Sequence, residues 1–188
     1  MAEATILFNG YIGEDDESVA STVGFVRAGD RLIIIDPGMV PSPASILDPL
    51  REAGVEPGDI TDVILSHHHP DHTVNAALFP NANVHDQWAI YKGDQWTDRA
   101  AEGFAVAPGV KLIETPGHSP FDIATLVETD KGVMAFTHSW WNEEGPAEDP
   151  FASDAGDLAK SRARILDIAA IIVPGHGPAF TPGPDTPR

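Results

Sequence analysis

The sequence predicts an α+β fold in which two β-sheets pack together and helices cover their outer faces. Gly and Pro, 17 of each among 188 residues, divide the chain into short elements. Predicted strands come first, as hairpins, and then mix with helices in both halves, which favours a sandwich over a doubly wound parallel sheet. The length favours one domain, and we assign residues 1–180 to it and 181–188 to a Pro-rich, frayed tail.

Each element follows from local patterns of apolar residues and from the residues that end them. The first half contains predicted helices over 42–53 and 71–78, and predicted strands over 5–9, 18–27, 31–35, 62–66 and 83–85. The second half contains a predicted helix over 157–167 and predicted strands over 110–114, 122–128, 133–137 and 171–173. Residues 86–108 are mixed and aromatic, and residues 139–156 are predicted to form an acidic loop.

The charge and the composition argue against several classes of function. There are 29 Asp and Glu against 11 Lys and Arg, and the net charge of -18 repels nucleic acids and anionic membranes. Without Cys, any bound metal has only nitrogen and oxygen ligands. The apolar runs are too short to span a bilayer, and the first residues lack a basic segment followed by a long apolar stretch. We therefore expect a cytoplasmic protein.

The eight histidines lie in positions that suit a metal site. Residues 66–72 read Ser-His-His-His-Pro-Asp-His, and His118, His138 and His176 follow short strands or lie in Gly-flanked turns. A single His is usually a surface or core imidazole, and we interpret His85 in that way. Strand-end loops are where a rigid scaffold commonly holds ligands. Imidazole suits Zn and Fe, and Asp adds a hard oxygen ligand.

The spacing within residues 66–72 has a geometric meaning. His67 and His69 are two residues apart, so in an extended segment they point the same way and His68 points the other way. Asp71 and His72 then lie in the first turn of the following helix. One stretch thus offers two pairs of ligands and can begin two adjacent metal sites. The alternative is a His-rich loop in which Asp71 only caps the helix.

This segment resembles the His-x-His-x-Asp-His signature of the metallo-β-lactamase superfamily of metallohydrolases. Residues 36–38 (Asp-Pro-Gly) resemble the early acidic turn of that family, residues 116–120 its third His motif, and residues 174–178 its last one. All arrive in the family's order and together cover nearly the whole chain. The stretch 161–180 is most similar to small single-domain members, the group that includes the animal metallo-β-lactamase domain-containing hydrolases.

The resemblance implies a four-layer αβ/βα sandwich with metals at one edge, between the two sheets. It implies a first metal held by His67, His69 and His118, and a second held by Asp71, His72 and His176. Zn²⁺ is the expected cofactor, with Fe or Mn as alternatives. The expected reaction is attack by a metal-bound hydroxide on a small-molecule ester, lactone, thioester or amide. Asp71 is then the best candidate to orient the hydroxide and to pass a proton to the leaving group.

The chain departs from the family pattern at His138. In the family, the loop after the strand at 133–137 usually ends in Gly-Asp, and that Asp bridges the two metals. An imidazole presents one lone pair to a metal, so His138 can serve one metal but cannot replace the bridge. We therefore expect one tight metal and a weaker second one. Two alternatives are that His138 points away from the site or that the register of this loop differs.

The residues after His138 predict the substrate side of the site. Trp140 and Trp141 are candidate substrate-binding residues. Because neighbours cannot both face one side of a strand, we expect one to pack and the other to floor the pocket, unless both pack in the core. The acidic residues of 139–156 are either solvated, or they offset the metal charge or repel anionic substrates.

Three other functions compete with a hydrolase of small molecules. A ribonuclease or phosphodiesterase is disfavoured by the net charge and by the lack of a basic stripe. Iron-dependent oxygenation of a thiol or persulfide, which some family members perform, uses the Asp that His138 replaces. A metal-loaded binding module with little turnover is the third. A serine or cysteine nucleophile has no support, because the chain lacks both Cys and a G-x-S-x-G motif. The oligomeric state is left open.

Overall fold

The computed structural model describes residues 1–14 and 17–188, which form fourteen strands and three helices. Single 3₁₀ turns cover Pro57–Asp59 and Ala76–Leu78. The helices are α1 (Ala44–Glu52), α2 (Pro70–Thr73) and α3 (Ala155–Leu166). The strands are β1 (Glu3–Phe8), β2 (Tyr11–Ile12), β3 (Val19–Ala20), β4 (Val23–Ala28), β5 (Arg31–Ile35), β6 (Asp62–Ile64), β7 (Asn83–His85), β8 (Ala89–Lys92), β9 (Gln95–Asp98), β10 (Ala105–Ala107), β11 (Val110–Glu114), β12 (Ile123–Thr129), β13 (Gly132–Phe136) and β14 (Ile171–Val173).

The strands form two large mixed sheets and one small hairpin. The first sheet has the order β1-β4-β5-β6-β7-β8-β9, and the second has the order β10-β11-β12-β13-β14. Strands β5, β6 and β7 run parallel, as do β13 and β14, and the other neighbours are antiparallel. The short pair β2-β3 stands apart. Antiparallel hairpins combined with a few parallel crossovers are typical of the predicted α+β class.

Alternation along the strands sorts the apolar residues into layers. In β5, Ile33 and Ile35 join the core between the two sheets, whereas Ile34 packs with Leu50 of α1. In β12, Leu126 packs outward in the cluster that contains α3 residues. The order of layers is therefore helix, sheet, sheet, helix, and the predicted sandwich is confirmed.

Two predicted elements are interrupted by contacts with distant segments. The predicted strand over 18–27 breaks into β3 and β4 because the Thr22 hydroxyl accepts the amides of Gly10 and Gly177 and donates to the Gly177 carbonyl. The predicted helix over 71–78 ends after one turn. The Asp71 carbonyl, which a longer helix would pair with residue 75, accepts the Met39 amide instead.

Two other segments contain structure that local patterns did not predict. The aromatic stretch 86–108 contains the hairpin β8-β9 and the short strand β10. In the stretch 181–188, the Pro187 carbonyl accepts the Trp140 indole nitrogen at 2.8 Å, and the frayed tail stays a prediction. Within residues 1–14 and 17–188, none of the helices has the length and apolar character needed to cross a membrane.

The topology brings the histidine-bearing loops to one edge of the sandwich. Strands β5 and β6 are parallel, so residues 36–38 and 66–72, which follow them, leave the first sheet on the same side. Strands β11, β13 and β14 also share one direction, because β11 and β13 both pair antiparallel with β12. His118, His138 and His176 follow these three strands. Five loops at carboxyl ends therefore meet at one site.

Candidate metal centre

Three imidazoles converge in the first part of the site. The Nδ1 atom of His69 lies 2.9 Å from Nε2 of His67 and 3.1 Å from Nε2 of His118. Nitrogen ligands about 2.1 Å from one ion lie roughly 3.0–3.4 Å from each other, so these atoms are placed as ligands of a single ion would be. His68 points elsewhere, and its Nε2 lies 3.0 Å from a carboxylate oxygen of Asp86.

Asp36 organises the loop that carries two of these ligands. Its carboxylate accepts the amide of Ser66 at 2.7 Å, the hydroxyl of Ser66 at 2.6 Å and Nδ1 of His72 at 3.0 Å. Because the Ser66 hydroxyl gives its proton to Asp36, its oxygen accepts Nδ1–H of His67 at 3.0 Å. Both imidazoles therefore present Nε2 inward. Asp36 adopts a left-handed φ of 48°, a strained conformation that these bonds hold in place.

A close approach to the backbone of Asp71 explains why the early acidic turn ends in glycine, at Gly38. A Cβ on Gly38 would lie only 1.6 Å from the Asp71 carbonyl oxygen. The amide of the next residue, Met39, donates to that same oxygen at 2.8 Å. The turn after β5 therefore packs directly on the backbone of α2, and this contact fixes the start of α2 beside the imidazoles.

Two further imidazoles are oriented by acceptors on their outer nitrogens. Nδ1 of His118 donates to the Asp149 carboxylate at 2.7 Å, and Nδ1 of His176 donates to the Ala20 carbonyl at 3.0 Å. Metal-bound histidines commonly have this arrangement, in which the second ring nitrogen donates to a carboxylate or carbonyl and fixes the tautomer. The Nε2 atoms of both residues consequently face the site with free lone pairs.

Asp71, His72 and His176 form a second group. One Asp71 carboxylate oxygen lies 3.3 Å from Nε2 of His72 and 3.5 Å from Nε2 of His176. The Nε2 atom of His72 is buried and has no hydrogen-bond partner among the described residues. Burial lowers the pKa of His72, but the carboxylates of Asp36 and Asp71 outweigh it and raise this pKa to about 9. This corner of the site therefore has a negative potential that favours a cation.

Four imidazoles of the site, those of His67, His69, His138 and His176, are neutral at pH 7. Burial and the neighbouring imidazoles lower the pKa of His67 and of His138 well below the usual value. Burial also lowers the pKa of His176 to about 4, and burial together with His118 lowers the pKa of His69. A neutral imidazole keeps the lone pair that a metal requires. The donor set and its anchoring fit divalent metal ions, which would displace the proton that His72 holds at pH 7.

His138 is enclosed by the other imidazoles. It is 3% exposed, its Nε2 lies 3.0 Å from Nε2 of His176, and its Nδ1 has no hydrogen-bond partner within the described residues. Its ring centre lies 4.1 Å from that of His118 and 4.6 Å from that of His67. With His67 and His72 it forms a third set of nitrogens close enough to share an ion. The alternative in which His138 points away from the site is therefore wrong.

A cavity of about 660 Å³ opens over these groups. Trp141 lines it, together with the side chains of His69 and Asp71. Trp140 is fully buried in the core beneath α3, so the expectation that it contacts substrate is corrected. The sequence predicts that one of the two Trp residues packs and that the other floors the pocket, but it does not predict which one packs.

The sequence interpretation missed the role of Asp149. This residue lies in the acidic loop, yet its carboxylate is 1% exposed and accepts bonds from His118 and from the Trp141 indole nitrogen. The only sequence signal was an acidic residue in the loop that follows His138. Because 31 residues separate Asp149 from His118, local spacing could not reveal the contact.

Comparisons with known proteins agree with the motifs. A family model described as the metallo-beta-lactamase superfamily matches residues 18–134. The chain is 31% identical over 186 residues to metallo-beta-lactamase domain-containing protein 1 of Xenopus laevis, a match that covers 93% of this chain and 79% of the frog protein. It matches 59% of the length of the human protein of that name.

Two other relatives extend the comparison. The chain is 32% identical over 138 residues to an N-acyl homoserine lactonase of a Bacillus species, covering 64% of this chain and 55% of the lactonase. A Thermotoga maritima structure of the metallo-beta-lactamase type superposes with a TM-score of 0.75 at 24% identity, covering 96% of this chain and 99% of that one. The structural likeness supports the fold, and the family model and the frog relative place this chain in the metallo-β-lactamase superfamily.

Proposed function

We propose that this chain is a metal-dependent hydrolase of a small-molecule ester, lactone, thioester or amide. The observation that carries the proposal is the convergence of imidazole nitrogens on one site, where four of the rings have their outer nitrogens bonded to protein acceptors. When bound, a divalent ion such as Zn²⁺ polarises a carbonyl oxygen and lowers the pKa of water in the site. The proposed ligands are His67, His69 and His118 for one ion, and Asp71, His72 and His176 for a second.

Asp71 is the proposed proton-transfer group. Its side chain is 18% exposed and lines the cavity. Burial raises the pKa of Asp71, but its contact with His72 and the charges of His72 and His176 outweigh burial and lower this pKa to about 2. The carboxylate is therefore ionised at neutral pH. It can orient an attacking water through its Oδ atoms and pass a proton to the leaving group.

The relatives support a carbonyl centre as the reacting group. By its name, the Bacillus relative acts on a lactone, which is a cyclic ester. A lactone, ester, thioester or amide presents the same electrophilic carbon to the cavity, so the supported feature is the carbonyl and not one particular leaving group.

The test combines metal analysis with a substrate panel. Protein produced without a polyhistidine tag should contain divalent metal by elemental analysis, and it should hydrolyse at least one ester, lactone, thioester or amide. Chelation should abolish this activity, and added Zn²⁺ should restore it. His69→Ala should lose metal, whereas His68→Ala is the matched control, because the His68 side chain is 51% exposed and bonded to Asp86.

Asp71→Asn tests the proton-transfer role separately. It should remain folded by circular dichroism while losing most of its turnover. Metal only at trace level in the tag-free protein would contradict the proposal, as would a phosphodiester being the only hydrolysed member of the panel. Full turnover by Asp71→Asn would refute the role of Asp71 and leave the metal-dependent reaction standing.

A further inference from the structure

One wall of the cavity is apolar and exposed. The rings of Trp141 and Phe151 stack with their centres 5.7 Å apart and their planes at 17°. Phe151 is nevertheless 71% exposed. Ile12 and Val19, from the hairpin β2-β3, line the same cavity. Aromatic and branched aliphatic side chains thus border the approach to the imidazoles.

Asp149 fixes this wall to the site. One of its carboxylate oxygens accepts Nδ1 of His118 and the Trp141 indole nitrogen, at 2.7 and 3.2 Å. The other oxygen accepts the amide of Phe151 at 2.8 Å. Asp149 therefore fixes the position of Trp141 and Phe151 relative to the His118 imidazole. A ligand that lies on these two rings reaches a defined position over the site.

The cavity does not favour an anionic substrate tail. Among the described residues that line it, none is a lysine or arginine. Its polar members include the Asp71 carboxylate, and the chain has a net charge of -18. A negatively charged group on the apolar wall would lose its hydration without gaining a cationic partner.

We propose that the substrate is electrically neutral and carries an apolar acyl group of several carbons, which lies on Trp141 and Phe151 while the carbonyl lies over the imidazoles. This inference rests on the proposed hydrolase function and adds the chemical class of the substrate. Ile12 and Val19, which line the same cavity, add to an apolar slot for the acyl group. Asp149 acts in it as a positioning residue, because it holds the wall without lining the cavity.

Binding can be measured without turnover by using 2-alkanones, which are neutral, carry a carbonyl group and cannot be hydrolysed. Calorimetry with 2-butanone, 2-hexanone and 2-octanone on the metal-loaded protein should show Kd falling by up to about fourfold for each buried methylene. Phe151→Ala should flatten this dependence on chain length. Trp96→Ala is the matched control, because its ring is exposed on the hairpin β8-β9 and away from the cavity.

Turnover measurements test the charge requirement. The p-nitrophenyl ester of octanoate should have a kcat/KM at least tenfold above that of the mono-p-nitrophenyl ester of suberate, which ends in a carboxylate, and the difference should lie mainly in KM. Phe151→Ala should narrow that ratio.

The outcomes separate this inference from the proposed function. Chain-length-dependent binding without hydrolysis of any ester would support the apolar slot and count against the hydrolase. Hydrolysis of short and long neutral esters with equal KM, or a preference for the suberate ester, would support the hydrolase and overturn the slot. If Phe151→Ala and Trp96→Ala changed the dependence of Kd on chain length equally, the apolar slot would also be overturned.

Discussion

Replacing Gly175 by Ala is expected to destabilise the protein through its contact with His138. A Cβ at Gly175 would lie 2.5 Å from Cδ2 and 2.9 Å from Nε2 of that ring. The backbone cannot easily retreat, because the Gly175 amide donates to the Trp140 carbonyl and its own carbonyl accepts the Thr22 amide, at 3.0 and 2.7 Å. The buried ring must therefore move among the neighbouring imidazoles.

The magnitude follows from packing. Inserting a methyl group into a filled interior costs about 1–3 kcal/mol in the free energy of unfolding. In the His138→Ala background the obstructing ring is gone. Gly175→Ala should then be neutral, or stabilising by up to about 1 kcal/mol through the unfolded chain, since Gly175 lies outside the left-handed region. The expected coupling free energy between the two positions is therefore about 1–3 kcal/mol.

The assay is a double-mutant cycle by urea unfolding of the metal-free proteins. It compares the wild type, Gly175→Ala, His138→Ala and the double variant. Gly177→Ala serves as the matched control, because its Cβ would approach Asn142 at 3.1 Å and its cost should not depend on His138. If Gly175→Ala costs the same with and without the His138 ring, this packing of His138 beneath the last His motif is refuted.

Three further predictions address the metal ligands and acid stability. Asp149→Ala should lower the affinity for the ion held by His118 by about 10–100-fold in a competitive chelator titration, because the outer ring nitrogen of His118 loses its acceptor. An unchanged affinity would contradict this prediction. Calorimetry of the wild type should show one tightly and one weakly bound ion per chain, whereas His138→Asp should bind two ions tightly, since a carboxylate can bridge them. Two tightly bound ions in the wild type would contradict this prediction. Burial raises the pKa of Asp62, but hydrogen bonds from His85, Thr61 and Asn83 outweigh it and lower this pKa to about 2. The ionised Asp62 carboxylate therefore stabilises the fold above pH ~4, and this stabilisation is lost as the pH falls toward 2. In Asp62→Asn, the free energy of urea unfolding should change by roughly 2 kcal/mol less between these pH values than in the wild type. An identical pH profile in the two proteins would refute this prediction.

The fold could be predicted where a local pattern determines the element. The apolar run within 31–35 predicts a strand, and the structure buries both of its faces, because one side meets the second sheet and the other meets α1. The hairpin β8-β9 was missed although its two-residue turn, Gly93-Asp94, is a strong hairpin signal. Within 86–108 the mixed aromatic composition obscured the alternation.

The helix over 71–78 could not have been predicted correctly from local pattern alone. Its continuation is prevented by Met39, whose amide takes the Asp71 carbonyl, and by Asn75, whose amide donates to the Pro37 carbonyl. Both partners come from the turn after β5, more than 30 residues earlier in the chain. Tertiary contacts of this kind override helix propensity.

The sequence-predicted ligands lie together because their placement depends on strand ends, which local pattern reveals. The orientation of each imidazole depends instead on distant acceptors: Asp36 for His72, Asp149 for His118 and the Ala20 carbonyl for His176. These acceptors are themselves held by backbone amides, as Asp36 is by Ser66 and Asp149 is by Phe151. The fold therefore fixes the inward direction of these Nε2 atoms, and a metal ion bound as proposed would meet donors that are already oriented.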